Sequence, residues 1–200
     1  FKELEVVFLT AGEIPYELAM GRIDLGVTGQ DLVHENLADW CRFLIELKTL
    51  DFGIADLVLA VPKFWVDVES VDDLDAVATS FRRKNGYRLR IATKYHNLVW
   101  SYLRNMGVAD YQLVESKGAT EGTIKNDNAE VIADISSSGN TLEANHLKVI
   151  GNQPILRSQA AFYCSREAEW GKTKATKLKE LCSVLRLKPS LISDLIDSQA

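Results

Sequence analysis

The feature that most constrains the fold is the segment 131–142, where a short apolar run changes abruptly into three serines and a glycine. The apolar run is typical of a buried strand, and residues 140–146 are predicted to form a short helix. Backbone N–H groups and hydroxyls at such a junction can hold a phosphate. A polar turn with a serine N-cap explains the same residues, so the segment alone leaves both interpretations open.

Two residues of this segment have side-chain properties suited to a sugar phosphate. Gly139 would let the backbone close around an anion without a Cβ in the way. Asp134, predicted at the end of the strand, could accept hydrogen bonds from sugar hydroxyls. Both expectations apply only if the segment binds a phosphate and is not simply a polar turn.

Strand-like and helix-like segments alternate along the chain, which predicts an α/β fold with largely parallel sheets. The strand-like segments are 4–9, 23–29, 43–50, 54–61, 88–93, 111–115, 131–135, 147–150 and 159–164. The helix-like segments are 13–22, 30–37, a helix from a capping box at 70–73 to Asn85-Gly86, 95–106, 140–146, an amphipathic stretch at 175–185 and a short final helix at 191–197.

Composition narrows the classes of partner. The net charge of −5 offers no basic field for long nucleic acid, so phosphate binding would have to be local. The odd, widely spaced Cys41, Cys164 and Cys182 argue against a disulfide framework or a zinc site and fit a reducing cytoplasm. No apolar run is long enough for a membrane helix and no signal peptide is visible. We therefore expect a cytoplasmic protein with no membrane or nucleic-acid partner.

A sequence pattern that occurs twice in the chain suggests two lobes. Residues 24–32 and 134–142 share the spacing Asp-[Leu/Ile]-x-x-[Thr/Ser]-Gly-x-x-Leu, and each follows an apolar segment. Ligands in open α/β sheets bind outside the carboxyl ends of the strands. Two lobes with facing strand ends would place both turns on one ligand cleft, although two similar turns can also arise by coincidence.

The motif residues resemble the signature of the ATP phosphoribosyltransferases, the family that begins histidine biosynthesis. Its pattern is reinforced by residues 90–95, 118–121 and 24–29 and extends over nearly the whole chain. The residues in register with the signature are Glu121, Ala129, Ile132, Asp134, Ile135, Ser138, Gly139, Thr141 and Leu142.

Three departures from the family pattern stand out. Asp127 occupies a signature glycine position, and Thr10 stands where many members carry an arginine. The family's N-terminal strand and its Lys-Gly-Arg turn are absent from the sequence, so the first lobe is expected to lack its N-terminal part. The Asp127 departure questions local backbone geometry rather than the phosphate loop.

The resemblance implies a fold similar to periplasmic binding proteins of type II, with two α/β lobes and a cleft between them. The first lobe would comprise residues 1–62 and 152–200, and the second, with the phosphate loop, residues 63–151. The implied reaction joins C1 of phosphoribosyl pyrophosphate to N1 of ATP, releases pyrophosphate and requires Mg²⁺. The alternative from another class is a non-catalytic small-ligand-binding module of the periplasmic-binding-protein type.

The resemblance also implies roles for individual residues, mainly in positioning and charge stabilisation. Asp134, Glu121 and Lys94 would position the transition state, although Lys94 fits a solvated surface lysine equally well. No metal ligand from the protein is assigned. The residues expected to bind phosphoribosyl pyrophosphate are Asp134, Ser137, Ser138, Gly139, Asn140 and Thr141. Those expected to bind ATP are Asp24, Thr28, Gly29, Lys94, Tyr95 and Glu121.

The chain most resembles the short form of the family. That form implies a homodimer of catalytic subunits within a hetero-oligomer, together with a regulatory subunit that resembles histidyl-tRNA synthetase. Histidine feedback would then be weak in the isolated chain and strong in the complex.

Overall fold

A computed structural model describes residues 4–116, 120, 122–187, 192 and 195. The helices are α1 (Ile14–Ala19), α2 (Gln30–Asn36), α3 (Trp40–Phe43), α4 (Val71–Asn85), α5 (His96–Asn105), α6 (Gly122–Lys125), α7 (Asn140–Ala144) and α8 (Lys172–Val184). The strands are β1 (Leu25–Gly29), β2 (Leu44–Thr49), β3 (Ala55–Pro62), β4 (Leu89–Thr93), β5 (Tyr111–Glu115), β6 (Val131–Ser136), β7 (Leu147–Ile150), β8 (Leu156–Ser158) and β9 (Ala160–Ser165). The predicted helix at 191–197 lies largely outside the described residues.

The chain divides into two compact units, each with its own sheet. The first contains the described residues up to Gly53 and from Gln159 onward, and its sheet has the order β1-β9-β2. Strand β9 is apolar on both faces because both are covered. One face packs with Leu18 and Val33, and the other with residues that include Trp170 and Leu178.

The second unit, Ile54–Ser158, contains a larger mixed sheet of order β5-β4-β6-β3-β7, with β8 also paired to β3. Strand β6 lies in the middle of this sheet, which explains why its first three residues are wholly apolar and buried. One apolar cluster on this sheet contains Val58, Ile132 and Leu142. The strand that leads into the serine loop is therefore held on both edges by neighbouring strands.

The predicted helix boundaries of α4 are confirmed by its hydrogen bonds. Ser70 Oγ accepts from the Asp73 N–H at 3.1 Å, and Asp73 Oδ2 accepts from the Ser70 N–H at 2.9 Å. These two bonds form the reciprocal capping box that the sequence predicts. Gly86 ends the helix with φ 79°, a left-handed conformation that glycine adopts without a Cβ penalty.

The prediction of largely parallel sheets is wrong. Only β4 pairs in parallel, with β5 and β6, among the described pairings, whereas β3 is antiparallel to β6, β7 and β8. In the first unit, β9 is antiparallel to both β1 and β2. Hydrophobic patterning identifies a strand but does not report its direction. Here β3 and β9 each begin directly after the chain passes from one unit to the other.

The structure also corrects the lobe boundaries. Residues 54–62 were expected in the first lobe, but β3 pairs with β6, β7 and β8 and so belongs to the second unit. Strand β8, also expected in the first lobe, pairs with β3 and belongs to the second unit too. Backbone pairing therefore places the division before β3 and after β8.

The predicted strand at 4–9 does not form. Its residues have no regular structure, and the side chains of Val6 and Phe8 are 74% and 94% exposed. An apolar, β-branched segment forms a strand only when a neighbour supplies backbone partners. Among the described residues, no strand pairs with this segment.

Candidate functional site

The serine-rich loop after β6 surrounds a cavity of about 130 Å³. The cavity is formed by the end of the strand, the loop and the start of α7. Its lining residues are Ile132, Asp134, Ile135, Ser136, Ser137, Ser138, Gly139, Thr141 and Leu142. Five of the six residues predicted for the sugar phosphate are therefore brought together. The sixth, Asn140, is exposed and is not among the lining residues.

Hydroxyl groups within the loop hold its backbone in shape. Ser136 Oγ accepts from the Gly139 N–H at 3.0 Å, and Ser138 Oγ accepts from the Asn140 N–H at 3.4 Å. The N–H groups of Ser137 and Ser138 donate no hydrogen bond to another described residue. The loop thus has two amides occupied by its own serines and two available to an anion.

Ser136 also lines the cavity, although the sequence did not single it out as a binding residue. Its hydroxyl both lines the cavity and closes the loop on Gly139. The available signal was its place as the first of three serines. The register of the strand decides which serine hydroxyl bonds within the loop and which faces a ligand.

Gly139 is required for its backbone conformation. Its φ is 75°, in the left-handed region that other residues enter at a cost of about 1–2 kcal/mol. A Cβ added to this residue would meet no described atom within 4 Å. The backbone angle by itself explains the glycine, and the expectation that it lets the loop close around an anion stays a prediction.

Asp134 lies within β6, two positions before the end of the strand where it was predicted. Its Oδ1 accepts the N–H of Ile135 at 2.9 Å, which fixes one carboxylate oxygen. By strand alternation, Asp134 shares a face with Ile132 and Ser136, beside the apolar cluster that contains Leu142. The carboxylate is half-buried at the border between apolar packing and the cavity.

The parallel neighbour β4 brings Lys94 to the same edge of the sheet. Thr93, the last residue of β4, pairs with Ala133, and Lys94 and Asp134 each follow directly in their own segments. Lys94 is exposed. Tyr95 is only 5% exposed, and its N–H donates to Thr93 Oγ1 at 2.9 Å, which is a packing position.

Glu121, the remaining predicted residue on this unit, lies outside the described residues. Thr120, directly before it, is fully buried and accepts a hydrogen bond from the Ser116 hydroxyl at 3.0 Å. The segment follows β5, which runs parallel to β4. Its attachment point is thus at the edge that carries Lys94 and Asp134.

In the first unit, Asp24 lies at the opposite end of β1 from the other two predicted ATP residues, Thr28 and Gly29. Asp24 precedes the strand and forms an ion pair with Lys174 Nζ at 2.8 Å. Thr28 is 4% exposed, and its hydroxyl donates to the Ala11 carbonyl at 2.7 Å. Gly29 ends the strand, roughly 15 Å from Asp24 at the usual rise of an extended chain. The structure therefore does not bring Asp24 together with Gly29.

Side chains of the first unit fill the space at the Gly29 turn. Gln30 Nε2 donates to Glu46 Oε2 at 3.0 Å, and the Tyr163 hydroxyl donates to the same oxygen at 3.1 Å. Burial, with Glu46 nearby, raises the pKa of Tyr163 far above its ordinary value. Burial lowers the pKa of His34, against the opposing effects of Glu46 and Asp31. This is a partly buried polar network beneath the turn.

The two substitutions relative to the family pattern have local explanations. Asp127 follows α6 with φ 58°, so the signature glycine corresponds to a left-handed position that aspartate tolerates better than most residues. Thr10 donates from its N–H and its hydroxyl to Glu13 Oε2 at 2.9 and 2.7 Å. Thr10 thus stabilises the entry to α1.

Two expectations about the whole chain can be compared with the described residues. Cys41, Cys164 and Cys182 are all free, as predicted, and burial raises the pKa of Cys164 to about 12. Among the described helices, none combines the length and apolarity needed to cross a membrane.

Comparison with known proteins decides between an enzyme and a binding module. A family model described as HisG, ATP phosphoribosyltransferase, matches residues 10–187. The ATP phosphoribosyltransferase of Cereibacter sphaeroides is 60% identical over 169 residues, which cover 84% of this chain and 72% of that protein. The chain belongs to the ATP phosphoribosyltransferase family. These pentosyltransferases catalyse the first step of histidine biosynthesis, so the enzyme interpretation holds.

Solved structures confirm the fold class. An ATP phosphoribosyl transferase (HisG:HisZ) complex from Thermotoga maritima matches with a TM-score of 0.64 at 22% identity, over 95% of this chain and 77% of that chain. A substrate-binding protein of an amino acid ABC transporter matches with a TM-score of 0.52 at 15% identity, over 98% and 79% of the two chains. The likeness to periplasmic binding proteins is therefore one of fold.

Proposed function

We propose that the loop after β6 binds the 5-phosphate of phosphoribosyl pyrophosphate. The observation that carries this proposal is the small cavity whose wall supplies the amides of Ser137 and Ser138 together with serine and threonine hydroxyls. Backbone amides in a turn make a concave site for an anion. Helix α7 is too short to contribute much through its dipole, so the loop geometry supplies the binding.

In this proposal Asp134 binds the ribose hydroxyls. Lys94 stabilises the negative charge that develops on the leaving pyrophosphate. The free oxygen of Asp134 is available to sugar hydroxyls, because its partner oxygen accepts from Ile135. The bond from C1 to pyrophosphate breaks as the bond from C1 to N1 of ATP forms. A chain that fixes the sugar at both its phosphate and its hydroxyls holds C1 in line for this displacement. Asn140, exposed beside the loop, is left out of the direct contacts.

We propose that Mg²⁺ is held mainly by the substrate. Among the described residues, no group of three His, Cys, Asp or Glu side chains could hold the ion by itself. Mg²⁺ often takes one or two carboxylates and completes its shell with substrate phosphates and water. Asp134 is the carboxylate that lines the cavity in the described part of the chain. Bound there, the ion would neutralise charge on the leaving pyrophosphate.

We also propose a regulatory assembly. The similar Thermotoga maritima structure is described as a HisG:HisZ complex, which supports a hetero-oligomer with a regulatory subunit for this chain. A homodimer of catalytic chains within that assembly remains part of the proposal. Mass measurement of the co-purified subunits tests it, and a strictly monomeric chain that binds no regulatory subunit would contradict it.

The experiment for the reaction itself uses the full protein with its regulatory subunit. Mixing it with ATP, phosphoribosyl pyrophosphate and Mg²⁺ should release pyrophosphate, and Asp134→Asn should reduce kcat while the protein stays folded. Ser80→Ala, on the outer face of α4, is the control and should leave the rate unchanged. Absence of both pyrophosphate release and sugar-phosphate binding by calorimetry would contradict the proposal.

A further inference from the structure

The proposed phosphate loop has no cation of its own. Residues 131–146 contain Asp134 and Glu143 but no lysine or arginine. A phosphate monoester carries a charge of about −1.5 to −2 at neutral pH. Half-buried next to the Asp134 carboxylate, such an anion needs positive charge from elsewhere in the fold. Strand β6 has two neighbours that can supply it, β4 with Lys94 on one side and β3 on the other.

The strand pairing on the β3 side points to Arg157. Ser136 on β6 lies directly opposite Asp56 on β3, and Asp56 lies directly opposite Arg157 on β8. The three residues therefore form one row across three antiparallel strands. Side chains directly opposite in antiparallel strands project from the same face of the sheet. Because Ser136 lines the cavity, Arg157 emerges on the face of the sheet that carries the phosphate loop.

The span of this row suits an arginine. Neighbouring strands lie about 4.8 Å apart, so two steps separate the backbones of Ser136 and Arg157 by roughly 10 Å. An extended arginine side chain covers most of that distance and passes over Asp56. Arg157 is exposed, and its guanidinium makes no hydrogen bond or ion pair with another described residue. It is thus available to a ligand.

We propose that Arg157 binds the 5-phosphate in the loop after β6, opposite Lys94. This inference rests on the proposed function of the loop and adds a residue to it. A planar guanidinium can donate two parallel hydrogen bonds to one phosphate, which lysine cannot reproduce. The carboxylate of Asp56 lies between Arg157 and the loop. Its negative charge disfavours a bound phosphate, so a compensating cation is needed all the more.

The test compares Arg157→Gln and Arg157→Lys with Arg83→Gln. Arg83 is an exposed arginine on α4 of the same unit, so its variant removes the same charge at a distant place. Calorimetry with the full chain would use three probes: ribose 5-phosphate, phosphoribosyl pyrophosphate and inorganic pyrophosphate. Ribose 5-phosphate carries only the phosphate that the loop is proposed to hold.

We expect Arg157→Gln to weaken ribose 5-phosphate and phosphoribosyl pyrophosphate by the same factor, about tenfold. Pyrophosphate affinity should not change, Arg157→Lys should recover part of the loss, and Arg83→Gln should behave as wild type. Unchanged ribose 5-phosphate affinity in Arg157→Gln, or an equal loss in Arg83→Gln, would overturn the assignment. So would a loss confined to pyrophosphate. Wild-type protein that binds neither sugar phosphate would instead contradict the proposed function itself.

Discussion

Two turns of this chain share a sequence pattern and differ in almost every structural respect. Gly139 has φ 75° and borders an open cavity, whereas Gly29 has φ −72° and ψ 141°, an ordinary extended conformation. The serines of the first turn bond to its own amides and leave room for a ligand. At the second turn, Thr28 is buried and bonded to Ala11. The same spacing therefore borders an open cavity in one unit and a self-filled turn in the other.

This difference shows that the place of a glycine in a sequence pattern does not reveal why glycine is needed there. At Gly139 the backbone requires glycine and the space beyond it is empty. At Gly29 the backbone does not, but an added Cβ would lie 2.3 Å from Asp31 Oδ1. Asp31 is itself 8% exposed. The first glycine allows a left-handed backbone beside the cavity, and the second makes room for a buried carboxylate.

The largest expected effect is on ligand binding at the open turn. Gly139→Asp places a negative charge at the border of the cavity, where it repels a phosphate. We expect affinity for phosphoribosyl pyrophosphate to fall at least about a hundredfold, or about 3 kcal/mol. Gly139→Asn is the control, because asparagine tolerates positive φ and is neutral. Equal losses in both variants, measured by calorimetry on folded protein, would assign the effect to backbone strain instead of charge.

At the filled turn the expected effect is on stability. Gly29→Ala forces the Asp31 carboxylate to move within a packed network, and such overpacking typically costs about 1–3 kcal/mol. Denaturant unfolding should show this loss. Gly12→Ala, in the same unit, is the matched control because its added Cβ meets nothing within 4 Å. If Gly29→Ala unfolds like wild type but loses ATP affinity, the turn is a ligand site and the contrast between the turns fails.

A smaller effect is expected at Asp127, which tests the role of backbone conformation without any ligand. Asp127→Gly should raise the free energy of unfolding by up to about 1 kcal/mol, because glycine adopts φ 58° without strain. Asp127→Ala should lower it, since alanine has neither the freedom of glycine nor the tolerance of aspartate. Thermal unfolding of both variants measures the difference. A stabilising alanine would show that the carboxylate, and not the backbone, is unfavourable here.

The smallest expected effect is on the pH dependence of stability, and it arises beneath the Gly29 turn only. Burial lowers the pKa of His34, beneath the filled turn, so the unfolded chain takes up its proton more readily than the folded one. Stability should therefore be retained above about pH 6.5 and decline as the pH falls below it. His34→Asn should flatten this decline in pH-dependent unfolding. An unchanged decline in His34→Asn would show that another group causes the pH dependence.

Local elements were largely predictable from the sequence, because the capping box at Ser70, the stop at Gly86 and the apolar run of β6 are local signals. The direction of β3 and β9 was not, since hydrophobic patterning is the same for either direction. The loop after β6 was predictable down to Gly139, and its phosphate-binding role stays a prediction. The second turn was not, because the partner of the Thr28 hydroxyl is Ala11, outside the motif. Arg157 also lacks any motif, and only strand register relates it to Ser136.

The central claim is that the loop after β6 holds the 5-phosphate of the sugar substrate. A crystal structure of the full protein with phosphoribosyl pyrophosphate and Mg²⁺ tests it most directly. We predict phosphate oxygens within hydrogen-bond distance of the N–H groups of Ser137 and Ser138, with the ribose hydroxyls on Asp134. A sugar phosphate bound with its 5-phosphate away from this loop, and the cavity filled only by water, would contradict the account.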